Sequence, residues 1–178
     1  MGEILKYILI TCCILCISSQ LFGQTDTTKI KNINTYVAYI DSIYKLDNIQ
    51  NSNYLYYVEE GFTKRKRSGK TVGGWTLYRL GTVKRDTLYL VEYNGGTDIT
   101  LNIVYYYKAN KIVFAKITLI DKKGEFYRRE EFYDNDNTIY TYSTASNKAK
   151  KYSKETSISL MPNALNHLEN FKDSKILR

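Results

Sequence analysis

Residues 111–142 read KIVFAKITLIDKKGEFYRREEFYDNDNTIYTY. Val, Ile, Phe, Thr and Tyr fill three runs, and two clusters of turn formers separate them, Asp121 to Gly124 and Asp134 to Asn137. β-Branched and aromatic side chains suit a pleated, half-buried surface, whereas Asn, Asp and Gly tolerate a tight reversal. Three consecutive antiparallel strands are predicted. In the first, alternation places Val113, Ala115, Ile117 and Leu119 on one face. The other face carries Ile112, Phe114, Lys116, Thr118 and Ile120. The first face is expected to lie against an N-terminal helix. In the second run, Arg128-Arg129-Glu130-Glu131 puts one Arg and one Glu on each face, as expected for cross-strand ion pairs.

The same spacing runs backwards from this stretch. Turn signals at Thr82–Arg85, Asn94–Thr97 and Lys108–Lys111 continue a spacing of about thirteen residues, the pattern of a meander. Strands are predicted near 75–81, 86–93, 98–107, 111–120, 125–133 and 137–143. An earlier strand is expected at 54–60, followed over 61–74, which contains Gly69, Gly73 and Gly74, by a loop or by a long hairpin whose strands reach into it. Tyr106 to Phe114 is echoed by Phe132 to Tyr140, each an aromatic pair, a turn, then β-branched and aromatic residues. With two copies visible, the shared vocabulary of a meander explains the echo better than a repeat array does.

Residues 27–47 have helical periodicity, with Ile30, Ile33, Val37, Ile40 and Tyr44 on one side. Asp26, Thr27 or Thr28 can cap the free N–H groups of the first turn. Near the other end, 157–160 suggests a short last strand, and Pro162 opens a helix in which Leu165, Leu168 and Phe171 face inward. The predicted fold is therefore α+β: one antiparallel meander sheet of about six or seven strands. The N-terminal helix and a short C-terminal helix are expected on one face, in a single domain over 24–178.

The chain has 178 residues, 18 of them Tyr, with one Trp and one Pro. Its 26 Lys and Arg against 18 Asp and Glu give a net charge of +8, which favours contact with anionic surfaces without naming one. Residues 1–23 (MGEILKYILITCCILCISSQLFG) combine Lys6, an apolar run from Tyr7 to Ile17 and a polar exit, the layout of a secretory signal. Cleavage is expected near Gly23, with export to the periplasm or the outside. An uncleaved anchor would need a longer apolar run. Lipidation at Cys12 or Cys16 would need a small residue before the cysteine, and Thr11 and Leu15 fit that poorly. All three cysteines (Cys12, Cys13 and Cys16) lie in this segment, so the processed chain is expected to hold no disulfide, thiolate nucleophile or cysteine metal site.

Candidate chemistry is sparse. His167, the one histidine, is read as structural, and neither a metal site nor a cofactor is expected. Asp134-Asn135-Asp136-Asn137 has the oxygen density of a calcium loop but lacks its glycine and distal glutamate, so a turn is expected. Glu59-Glu60 and Glu130-Glu131 are adjacent on strands and point to opposite faces, so neither pair can flank one glycosidic bond. A cross-strand pair of Glu59 with Glu130 is the remaining arrangement. Lys64-Arg65-Lys66-Arg67 is the sharpest charge cluster. With export, an anionic envelope component or a partner protein suits it better than nucleic acid, and a solvated loop tip is the plain alternative. Tyr105, Tyr107, Tyr127 and Tyr133 are candidates to line an aromatic ligand face.

Gly23-Gln24 at the end of the signal, a helix over 27–47 and the Tyr106-to-Lys111 turn resemble a group of small secreted, Tyr-rich proteins of Bacteroidota-type bacteria. The resemblance implies location and fold class, with no activity and no catalytic residues to transfer. A non-enzymatic binding module is expected, acting through a sheet face or the 61–74 segment. An immunity- or inhibitor-type protein that caps a partner is the alternative, and a hydrolase using carboxylates alone comes third.

Overall fold

The computed structural model describes residues 26–45, 54–64 and 68–173. The signal segment with its cysteines, and Arg65, Lys66 and Arg67 of the basic cluster, lie outside the described residues. The chain divides into two compact units, Met1–Tyr36 and Val37–Arg178. In the first, residues 26–36 are helical, and Thr35 Oγ1 donates to Lys31 O at 3.0 Å. Helix α1 comprises residues 26–44, of which 37–44 belong to the second unit. Its last turn closes where the Lys45 N–H donates to Asp41 O at 3.0 Å.

The second unit is built on seven strands: β1 Tyr54–Lys64, β2 Thr71–Thr82, β3 Leu88–Gly96, β4 Thr100–Lys108, β5 Lys111–Asp121, β6 Gly124–Asp134 and β7 Asn137–Ala145. Every neighbour is antiparallel and the order is β1 to β7, so the predicted meander is present and open, with β1 and β7 as its edges. The turn chemistry explains why. Ala109 and Asn110, then Asn135 and Asp136, all have positive φ, as two-residue hairpins of the type I′ kind require. Asn and Asp reach that region at low cost. Asn110 adds to it, because its amide donates to Asp86 O at 2.7 Å and its Oδ1 accepts from Leu88 N–H at 3.0 Å. The echo between 106–114 and 132–140 has a structural counterpart. Both hairpins carry a register shift at the same place, between Tyr106 and Tyr107 and between Phe132 and Tyr133.

β2 begins at Thr71, four residues before the predicted start. The glycines there are not turn formers. A Cβ on Gly73 would lie 2.0 Å from Gly96 O, so this position keeps a backbone close to its neighbour. The 61–74 segment is therefore largely hairpin, with Gly61–Lys64 in β1 and Thr71–Gly74 in β2.

The two faces of the sheet carry different partners. On one face, Leu77, Val91, Ile103, Ala115, Ile117 and Leu119 pack with Ala149, Leu160, Ala164, Leu168 and Phe171. The last four belong to α3, Leu160–Asp173. The face that holds Ala115, Ile117 and Leu119 thus meets the C-terminal helix, with Val113 at its partly exposed margin. Residues of α1 reach the opposite face. Tyr44 donates to Glu92 at 2.8 Å, and Tyr106 donates to Asp41 at 2.6 Å. The expectation of both helices on one face is corrected: α3 and residues 37–44 meet opposite faces. The physical reason is that both strand faces are apolar in their centres, so each needs cover.

After β7 come a 3₁₀ segment, Asn147–Tyr152, and a single helical turn, α2, Ser153–Thr156. The predicted strand at 157–160 does not form. The N–H of Ser157 is taken by Ser153 O and that of Ile158 by Glu155 O, and Leu160 already belongs to α3. Pro162 sits in the first turn of α3, where its missing N–H removes no helical bond.

Candidate functional site

Tyrosine hydroxyls join elements throughout the second unit. Tyr107 donates to Ala164 O at 2.8 Å and Tyr127 to Thr156 O at 3.3 Å. Tyr133 donates to Glu131. Tyr105, Tyr107, Tyr127 and Tyr133 are all buried in the core beneath the C-terminal segments. Burial pushes the hydroxyls of Tyr105, Tyr107 and Tyr133 well above their ordinary pKa, so they stay neutral donors. The structure places these four in the scaffold and lines no described cavity with them.

Lys64 ends β1 and is exposed. Asp134-Asn135-Asp136-Asn137 forms the β6–β7 turn, with Asn137 Nδ2 donating to Asn135 O at 3.0 Å. Glu59 and Glu130 lie on β1 and β6, with four strands between them, and do not converge. Arg128 and Arg129 pair along their own strand, with Glu130 and Glu131 respectively, rather than across strands. Among the described residues, no group of three or more His, Cys, Asp and Glu is placed to hold a metal ion. No described helix is long and apolar enough to cross a membrane.

What the structure does bring together is a cavity of about 310 Å³ where β1, the end of β2 and α3 meet. Leu55, Tyr57, Glu59, Arg79, Arg85, Asn170 and Phe171 line it. Alternation along β2 puts Arg79 on the same face as Trp75 and Leu77, at an inward position of an otherwise apolar strand. Its side chain is 12% exposed, and it donates to Glu59, which is 40% exposed. Arg79 Nε is buried and has no hydrogen-bond partner among the described residues. The guanidinium groups of Arg79 and Arg85 each lie 5.9 Å from the Tyr57 ring centroid, at cation–π range.

Arg85 owes its position to the β2–β3 turn. Its φ of 55° is left-handed, a conformation that costs a residue with a Cβ about 1–2 kcal/mol. Thr82 offsets this cost: Thr82 Oγ1 accepts from Asp86 N–H at 3.2 Å and Thr87 N–H at 3.1 Å, and Arg85 N–H donates to Thr82 O at 2.9 Å. Gly81 makes room for the cavity wall. A Cβ there would lie 2.5 Å from Phe171 Cζ and 2.8 Å from Thr87 O.

His167 lies on α3, with its ring 5.5 Å from that of Tyr105. Burial first and Arg79 second hold its pKa below the usual 6.5, while Glu59 pulls the other way. The unfolded chain therefore binds this proton at a higher pH than the folded protein does. The stability contributed by the neutral imidazole is complete above about pH 6.5 and is lost as pH falls from there through the folded pKa. An NMR titration should place the His167 midpoint below 6.5. The urea midpoint should drop further between about pH 7 and pH 5 in the wild type than in His167→Gln. Equal drops would refute the assignment.

A second, more open depression of about 280 Å³ lies between Glu60, Phe62, Gly74, Trp75, Thr76 and Asn94. It has no guanidinium among its lining residues and a wider mouth. The first cavity is the better organised of the two. No family model, curated protein or solved structure matches this chain. The reading of the site rests on its residues.

Proposed function

We propose that this protein is an exported, non-enzymatic binding module that holds a small ligand in the cavity between β1, β2 and α3. One observation carries the reading: Arg79 sits at an inward strand position, its side chain only 12% exposed, and its guanidinium stands in the wall of a cavity of about 310 Å³. A nearly enclosed guanidinium is costly to keep at an apolar position, and one in the wall of usable space offers its remaining donors to an anionic or polar guest. The cavity lies at the lower end of the range for small-molecule sites, about 300–1,000 Å³. Its described lining includes one carboxylate, Glu59, so it does not supply the pair of acids that glycoside hydrolysis uses. The segment 1–23 supports export.

The test is thermal shift of the purified protein against a library of small metabolites, with Asn170→Trp as the blocked variant. Asn170 is exposed at the cavity lip. At least one compound should raise the melting temperature of the wild type and leave that of the variant unchanged. A library that shifts neither protein, or both alike, would remove the cavity from consideration. The second reading, an inhibitor-type protein that caps a partner, draws on the β1 edge, where Phe62 is 76% exposed and Tyr56 and Val58 are also exposed. Binding of that kind would survive Asn170→Trp.

A further inference from the structure

We infer that the ligand is a small organic carboxylate with an apolar or aromatic body, and that Glu59 is an internal competitor for its seat on Arg79. The inference rests on the binding reading above and adds the ligand's class. A guanidinium presents five N–H donors in a planar fork that matches a carboxylate two bonds at a time. Arg79 is nearly enclosed, and the partner it has in the cavity is Glu59. Glu59 is the more exposed member, so it can swing into solvent, and ion pairs with an exposed partner hold weakly.

The charge balance points the same way. Arg79 and Arg85 contribute two positive charges and Glu59 one negative charge, which leaves the lining at +1. A monoanion that takes the seat on Arg79 neutralises it while Glu59, moved off Arg79, stays at the cavity margin. A phosphate dianion would overshoot unless Glu59 left. The rest of the lining fixes the body of the ligand. Leu55 and Phe171 are apolar, and Tyr57, which is half-exposed, offers a ring that already faces both guanidiniums. Asn170 adds an amide at the lip. Arg85 is held there by a backbone conformation that side chains with a Cβ rarely adopt, and such conformations cluster at binding sites.

The experiment is titration calorimetry on the purified protein with phenylacetate, its neutral amide phenylacetamide, hexanoate and inorganic phosphate. Phenylacetate or hexanoate should bind, and phenylacetamide should bind at least about tenfold more weakly than phenylacetate. Glu59→Gln should tighten carboxylate binding by about threefold to tenfold, because the competing charge is removed. Arg79→Gln should weaken it by about tenfold or more, and Arg85→Gln, on a surface turn, gives the same direction should Arg79→Gln not fold. Equal binding of acid and amide, unchanged or weaker binding in Glu59→Gln, or no carboxylate binding at about 10 mM would each overturn the inference. Phosphate binding tighter than phenylacetate would overturn the carboxylate class. A neutral library compound that shifts the wild type and not Asn170→Trp would leave the cavity reading standing while the anion inference fell.

Discussion

Replacing Arg129 by alanine is expected to lower the free energy of unfolding by about 3–5 kcal/mol, the cost of breaking a buried charge network by removing one partner. Arg129 is on β6, on the face covered by the C-terminal segments, and is 18% exposed. Its guanidinium donates to Thr156 O at 2.9 Å and to Ile158 O. Its Nε lies 2.9 Å from Glu131 Oε1, a charge contact whose angle falls outside hydrogen-bond geometry. One side chain thus fastens the segment before α3 to the sheet, through the carbonyls of Thr156, at the end of α2, and Ile158. Alanine would strand Ile158 O, leave Thr156 O with the long bond from Tyr127, and leave the Glu131 carboxylate with the Tyr133 hydroxyl as its remaining described partner. Urea denaturation of the variant measures the loss. A double variant, Arg129→Met with Glu131→Gln, should recover much of it, because removing both charges avoids the unpaired one. A loss below about 1 kcal/mol in Arg129→Ala would mean that the segment is held by packing alone.

Much of this scaffold can be read in the chain because its signals are local. A turn such as Asp134–Asn137 needs residues that accept positive φ, and alternation in 111–120 needs no information from elsewhere. The meander follows, since each strand pairs with the next. The cavity resists such reading for a physical reason. Tyr57, Glu59, Arg79, Arg85, Asn170 and Phe171 come from β1, β2, a turn and the far end of the chain. Their meeting depends on α3 crossing back over the first strands. One signal was available: the alternation Trp75, Leu77, Arg79 sets an arginine on an inward row, where a charge is costly unless something answers it. The tyrosines pose the opposite problem. Tyr105, Tyr107 and Tyr133 have the same residue type and spacing as a ligand-facing aromatic row, and burial alone distinguishes them.

The helices illustrate the same limit. Nothing in the period of β5 says which of its two apolar faces meets which helix, and the register supplies the answer. Tyr56, Leu80, Leu90, Tyr106, Phe114, Phe132 and Tyr140 pair in sequence, one residue from each of the seven strands. This row crosses the face that residues 41 and 44 of α1 reach. Phe114 stands in its middle, buried, with ring centroids 5.6 Å from Tyr106 and 4.9 Å from Phe132.

Phe114→Ala is therefore expected to cost about 3–5 kcal/mol, as for a large aromatic removed from a packed core. Tyr140→Ala, at the exposed end of the same row, should cost less than about 1.5 kcal/mol, because an edge position has fewer partners to lose. Phe114→Leu should fall between them, since it keeps apolar volume and loses the ring contacts. Urea midpoints for the three variants decide the matter. If Phe114→Ala cost no more than Tyr140→Ala, the row would be a surface stripe and the sheet would have one core face. The expected order instead makes the sheet a two-sided core, with α3 on one face and residues 37–44 on the other. In a sheet so arranged, its centre is occupied by its own side chains. A ligand must then enter at the margin, where β1 leaves Tyr57 and Glu59 open beside Arg79.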